Sequence, residues 1–233
     1  MVKRIALLVP HTDSTLETDL KHFLPPNFVV HTARLWLDEV GADAEKRMVD
    51  QALPEGIKTL QGITRFDAAV FGCTSASAVY GAQGLERINT LLADAFHCPA
   101  ITAFGAVLND LRALGEPVAL LTPYTEAVNR FMIASLAQFD IEVAFSAGLG
   151  IRADPKIAQV TPAEIEQFVL LHRDEILQSS NTVLLSCTNL RAFDAFEEIV
   201  RQIGIDVITS NRSIINWLNT QIKGGCLCQS NTH

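Results

Sequence analysis

Short, nearly continuous apolar runs recur along this chain, separated by longer stretches with helical period. The runs Arg4 to Val9, Phe28 to Thr32, Ala68 to Gly72 and Ala100 to Thr102 in the first half predict strands buried on both faces, as do Val118 to Leu121, Glu142 to Ser146, Thr182 to Ser186 and Asp206 to Thr209 in the second. Between them the spacing of apolar residues predicts helices over Leu16 to Phe23, Ala42 to Gln61, Tyr80 to Ala95 and Phe104 to Leu114, then over Glu126 to Phe139, Pro162 to Gln178, Ala192 to Ile203 and Ser213 to Ile222. Thr161 before Pro162 and Glu164 is a helix-start signal, and Gly115 after Leu114 is a stop. Strand and helix alternate throughout, the pattern of parallel α/β architecture.

The order of elements repeats. Ile5-Ala6-Leu7-Leu8-Val9-Pro10-His11-Thr12-Asp13 is matched by Val118-Ala119-Leu120-Leu121-Thr122-Pro123-Tyr124-Thr125-Glu126, and each half later carries a Cys-Thr pair at the end of an apolar run, Cys73-Thr74 and Cys187-Thr188. Pro10 precedes Cys73 by 63 residues and Pro123 precedes Cys187 by 64, so the chain reads as two copies of one unit. The expected fold is α/β: two pseudo-symmetric lobes, residues 1–112 and 113–222, each a four-stranded parallel sheet flanked by helices, with the active site in the cleft between them. No Gly/Ser/Pro-rich linker separates the lobes, which places their tight junction near residues 103–116, and residues 223–233, lacking periodicity, read as a flexible tail.

Ligands of open parallel sheets sit beyond the carboxyl ends of the strands. Every candidate group lies at such an end. Cys73 and Cys187 are the candidate catalytic residues; each is expected to approach a helix N-terminus, where backbone N–H groups lower a thiol pKa from about 8.5 and favour the thiolate. A single cysteine in such a run would read as a small hydrophobe, but two at equivalent positions read as chemistry. Thr74, Ser75, Thr188 and Asn189 follow the thiols and could hold a carboxylate or cap local helices, or do both. The loops after the first strand of each half add His11, Thr12, Asp13, Tyr124 and Thr125, with Tyr124 placed to donate to a bound carboxylate and Thr12, Asp13 or Thr125 also able to cap the following helix.

Composition narrows the function. Of the 233 residues, 48% are hydrophobic, which suits a well-buried core, and a net charge of -8 leaves no basic stripe for nucleic acid. No apolar run approaches the roughly 18 residues of a membrane span and the start Met1-Val2-Lys3-Arg4 has no signal-peptide pattern, so the expectation is a cytoplasmic protein with no membrane partner. Five cysteines, Cys73, Cys98, Cys187, Cys226 and Cys228, are an odd number in a chain of this size and favour free thiols. Cys98 before Pro99 reads as a core or loop thiol; Cys226, Cys228 and His233 lack a fourth ligand, so no metal is expected, and no Gly-rich phosphate loop follows the first strand.

Over nearly its whole length the chain resembles the aspartate/glutamate racemase superfamily, in the branch that holds maleate cis-trans isomerases and arylmalonate decarboxylases. The resemblance rests on Gly72-Cys73-Thr74-Ser75, Leu121-Thr122-Pro123-Tyr124, Val128-Asn129, Leu185-Ser186-Cys187 and the run Ala106 to Gly115. It implies two α/β lobes with the site between them, no metal or organic cofactor, a homodimer or higher homo-oligomer, and a small carboxylate as substrate. Arylmalonate decarboxylases have glycine where this chain has Cys73, whereas maleate isomerases keep both thiols. The resemblance therefore implies a two-cysteine isomerase in which Cys73 adds as a thiolate to a double bond and Cys187 transfers the proton, chemistry that suits a thiol pair.

One position departs from the maleate isomerase pattern. Those enzymes carry asparagine in the first loop, where this chain has Asp13, and a carboxylate there would repel a dianion unless protonated or turned away. Amino-acid racemases of the superfamily resemble Asp13-Ser14 at this point, so a substrate with an amine or amide, or with a single carboxylate, enters the reading. The alternatives to isomerisation are an amino-acid or hydantoin racemase using the thiols as opposed acid and base, an arylmalonate-type decarboxylase, and a carboxylate-binding protein without catalysis.

Overall fold

The structure is a computed structural model and describes residues 1–224. Strand β1 (Lys3–Pro10) pairs in parallel with β2 (Phe28–Leu35) on one side and β3 (Ala68–Phe71) on the other, and β4 (Ala100–Thr102) completes the order β2-β1-β3-β4. The second sheet repeats this as β6-β5-β7-β8, from β5 (Val118–Thr122), β6 (Val143–Gly148), β7 (Thr182–Leu185) and β8 (Asp206–Thr209). Two four-stranded parallel sheets with flanking helices are the expected α/β class.

Alternation along β1 explains the layering. Ile5, Leu7 and Val9 face α1 (Leu16–Phe23), while Ala6 and Leu8 face the opposite core with α2 (Ala42–Arg47) and α3 (Leu53–Leu60). The helical stretch predicted over Ala42 to Gln61 is α2 and α3 joined by a π-helical turn, Met48–Ala52. A short helix, α4 (Thr74–Ala78), follows Cys73 before α5 (Gly81–Phe96); its run of small and hydroxyl side chains carries no apolar stripe, so periodicity did not predict it.

In the second half, α7 (Glu126–Ala137) follows α6 (Ala103–Leu114) and β5, and a single-turn helix α8 (Asp154–Ile157) follows β6. The helix predicted over Pro162 to Gln178 breaks at His172 into α9 (Pro162–Leu171) and α10 (Arg173–Ser179). Thr161 caps α9 in a capping box with Glu164, as the start signal implied. The chain continues through α11 (Ala192–Ile203) to α12 (Ser210–Gly224).

The two halves interlock. Phe104, Val107, Leu108 and Leu111 of α6 pack in the core of the second sheet, and Ile214, Ile215 and Leu218 of α12 pack with Ile5, Leu7 and Leu16 in the core of the first. Each half thus closes with a helix that packs into the other's core. Helix α12 also carries regular structure into the segment expected to be tail from residue 223; Cys226, Cys228 and His233 lie outside the described residues. Among the described residues no helix is long and apolar enough to cross a membrane.

Candidate active site

In both sheets the strand order turns back at the second and third positions, between β1 and β3 and between β5 and β7. The carboxyl ends of those four strands carry Asp13, Cys73, Tyr124 and Cys187. Such a switch point is where a crevice opens above a parallel sheet. Here the two crevices face each other.

Close packing sets the loops. Gly72 joins β3 to Cys73, and a Cβ there would press on Leu16 Cδ2 and Val9 Cγ1, so any larger residue would force those buried side chains to shift. Gly148 plays the same part for Tyr124, whose carbonyl would meet a Cβ at that position, and Gly150 N–H donates to the Tyr124 carbonyl at 3.0 Å. Thr122 Oγ1 accepts from Tyr124 N at 3.0 Å and is itself bonded to Asn129.

Cross-lobe hydrogen bonds hold the cleft. Thr74 Oγ1 donates to Ser210 Oγ at 3.0 Å, and Thr188 Oγ1 donates to the Gly72 carbonyl at 3.2 Å, each hydroxyl reaching into the opposite half. Asn189 is fully engaged. Its Oδ1 accepts from Ser14 N at 3.0 Å and its Nδ2 donates to Asp154 Oδ2 at 3.0 Å and the Asp154 carbonyl at 3.1 Å. The amide expected to hold a carboxylate is therefore a clasp between loops. Thr125 stands before α7 at intermediate exposure with no capping hydrogen bond from its side chain. His11 stacks on Trp36 with ring centroids 4.2 Å apart, and its Nδ1 accepts from Leu37 N at 3.3 Å.

The thiols are neutral in this environment, contrary to the expectation of a helix-stabilised thiolate. Cys73 is 6% exposed and Cys187 5%. Burial pushes the Cys73 thiol well up, reinforced by the Glu45 carboxylate, Asp154 and Cys187, with the Ala76 N–H acting the other way. Burial also raises the Cys187 thiol, with Asp154 and Asp13 adding to it, against the Tyr124 hydroxyl and the Asn189 N–H that favour the thiolate. The helix after Cys73 has only five residues, and after Cys187 a turn intervenes before α11 begins at Ala192. Desolvation outweighs such short dipoles.

Three buried carboxyls surround the thiols, two of them unforeseen. Asp13 Oδ1 accepts from Thr15 N and Leu16 N, both at 3.0 Å, and so caps the start of α1, while Oδ2 is buried without a partner. Burial lifts Asp13 to about 6, with Asp154 contributing. Asp154 accepts from Thr12 Oγ1 at 2.6 Å as well as from Asn189, and burial raises it too. Glu45, fully buried on α2, accepts from the Ser75 hydroxyl through Oε1, leaves Oε2 without a partner, and is lifted by burial to about 7. Within Asp43-Ala44-Glu45-Lys46-Arg47 the glutamate reads as part of a solvated face, and Asp154-Pro155 reads as a turn; only packing turns both inward. Among the described residues no group of three or more His, Cys, Asp or Glu is placed to hold a metal ion.

Comparison with known proteins gives this arrangement its relatives. The family model described as arylmalonate decarboxylase matches residues 5–223. The chain belongs to the arylmalonate decarboxylase family. Arylmalonate decarboxylase of Bordetella bronchiseptica is 33% identical over 153 residues, a match that covers 65% of this chain and 63% of that relative. Maleate isomerase of Nocardia farcinica is 23% identical over 230 residues, covering 90% of this chain and 86% of the relative. In structure, a cysteine-to-serine mutant of the N. farcinica maleate cis-trans isomerase, solved with a covalently bound succinylcysteine intermediate, superposes with a TM-score of 0.84 at 20% identity, covering 96% of this chain and 94% of its own. Proteins similar to this chain thus carry both named activities.

Proposed function

We propose that this chain is a cofactor-independent isomerase of a small carboxylic acid, acting by maleate-type cis-trans isomerisation. One observation carries the reading: two buried thiols stand at equivalent strand ends of facing lobes, with the Tyr124 hydroxyl on Cys187. Cys73, as thiolate, forms an S–C bond to one alkene carbon. The neighbouring carbon takes the Cys187 proton, the former double bond rotates as a single bond, Cys187 removes the proton again, and the S–C bond breaks to give the trans acid. A thiol held neutral by burial suits the donor role of Cys187. The covalent succinylcysteine of the N. farcinica enzyme supports the addition step.

Racemisation is the second reading, favoured by Asp13, a carboxyl where a dianion would prefer an amide. One thiolate would remove an α-proton and the other thiol would return it. Wild type, Cys73→Ala and Cys187→Ala incubated with maleate, aspartate, glutamate, hydantoins and arylmalonates in heavy water, followed by proton NMR, separate the cases. Conversion of maleate to fumarate that both substitutions abolish is the expected result. Deuterium gain at an α-carbon with loss of optical rotation would establish the racemase instead, and full turnover by both variants would overturn either mechanism.

A further inference from the structure

A buried thiol needs somewhere to send its proton, and the cleft offers one route. Cys73 Sγ lies 3.9 Å from Ser75 Oγ, and the Ser75 hydroxyl donates to Glu45 Oε1. All three residues are buried. We infer that Glu45, linked to Cys73 through the Ser75 hydroxyl, shares one proton with that thiol and so controls when Cys73 is a thiolate. The inference rests on Cys73 being the nucleophile of the proposed reaction and adds the residue that serves it.

The transfer balances without any outside reactant. The Cys73 S–H bond breaks as its proton passes to Ser75 Oγ, the Ser75 O–H proton passes to Glu45 Oε1, and the products are a thiolate, an intact hydroxyl and a neutral carboxyl. The site begins and ends with one negative charge. Relocating a charge inside a low-dielectric cleft costs far less than creating a second one there. Glu45 is suited to the task because Oε2 has no hydrogen-bond partner, which leaves the carboxylate under-solvated and a stronger base. Its affinity for the proton accordingly matches neutral pH, at about 7.

The groups facing this relay are Asp154 from α8, Tyr124 from the loop after β5, and Cys187 across the cleft, and among the described residues no lysine or arginine is a leading charge on Glu45 or Cys73. Glu45 and Cys73 therefore titrate as a pair. The thiolate forms while Glu45 holds the proton, and above the carboxyl's pKa its population stops rising with pH. Asp154 also acts on both, and it would give a similar inflection that survives loss of Glu45.

The test needs no substrate, so it stands or falls separately from the isomerase reading. Free protein is treated with iodoacetamide from pH 5 to 9 and the rate of alkylation of the Cys73 peptide is read by mass spectrometry. The wild-type rate should climb about tenfold per pH unit and level off near pH 7. In Glu45→Gln the inflection should vanish, so that at pH 9 the variant reacts up to about 100-fold faster than wild type while the two agree below pH 6. In Ser75→Ala the inflection should move to higher pH, since Glu45 loses the hydrogen bond that stabilises its charge. This second variant also serves if Glu45→Gln fails to fold. A wild-type profile without an inflection, an inflection that persists in Glu45→Gln, or one unmoved in Ser75→Ala would each overturn the relay.

Discussion

Asp13→Asn isolates the energetic consequence of burying a carboxyl beside the thiols. The amide keeps an oxygen to accept from Thr15 N and Leu16 N, so the cap of α1 is preserved, and only the unpartnered Oδ2 changes. In the folded protein the carboxyl titrates at about 6 against an ordinary 3.8. A raised folded-state pKa means that the stability linked to this proton is fully present below about pH 4 and is lost as pH rises through about 6. Roughly two pKa units at about 1.4 kcal/mol each give a change of about 3 kcal/mol across that window. Asp19 and Glu45, also lifted by burial to about 6 and about 7, titrate in both proteins and cancel in the difference. Urea denaturation of wild type and Asp13→Asn at unit steps from pH 4 to pH 8 should therefore show near-equal stability at the acid end and a variant more stable by about 2–3 kcal/mol at the alkaline end. Parallel stability curves, agreeing within about 0.5 kcal/mol at every pH, would refute the claim that Asp13 is held protonated by burial.

The same variant should bind maleate more tightly than wild type at pH 8 and no more tightly at pH 5, measured by protection of Cys73 from alkylation; an equal gain at both pH values would show that the Asp13 charge plays no part. Cys187→Ser should let addition proceed, with the neighbouring carbon taking its proton from water, while removing the base that takes that proton back, so that incubation with maleate leaves the mass of one acid on the Cys73 peptide; an unmodified peptide would count against addition by Cys73. Asn189→Ala strips the clasp that joins Ser14 to Asp154 and should cost roughly 3 kcal/mol or more in urea unfolding. Gly72→Ala drives a methyl into Leu16 and Val9 and should lower stability by about 1–3 kcal/mol.

Desolvation keeps both thiols protonated, and the surrounding carboxyls deepen that preference. On the proposed function, a carboxylate that filled the cleft would bring its own charge and so shift which of these carboxyls are ionised.

Chain order alone determined much of this protein. The eight strands, the doubled order of elements and the placing of Cys73, Cys187, Asp13 and Tyr124 at strand ends follow from local apolar runs and a repeat of about 113 residues, because a strand buried on both faces leaves an unbroken apolar signature. Contacts distant in sequence have no such signature. That α12 completes the core of the first sheet, that Asn189 clasps Ser14 and Asp154 instead of facing the cleft, and that Glu45 turns inward to meet Ser75 were decided by tertiary packing. The ionisation of the thiols belongs with them: local position suggested helix-stabilised thiolates, but the charge a thiol can carry depends on how much water the whole fold removes from around it.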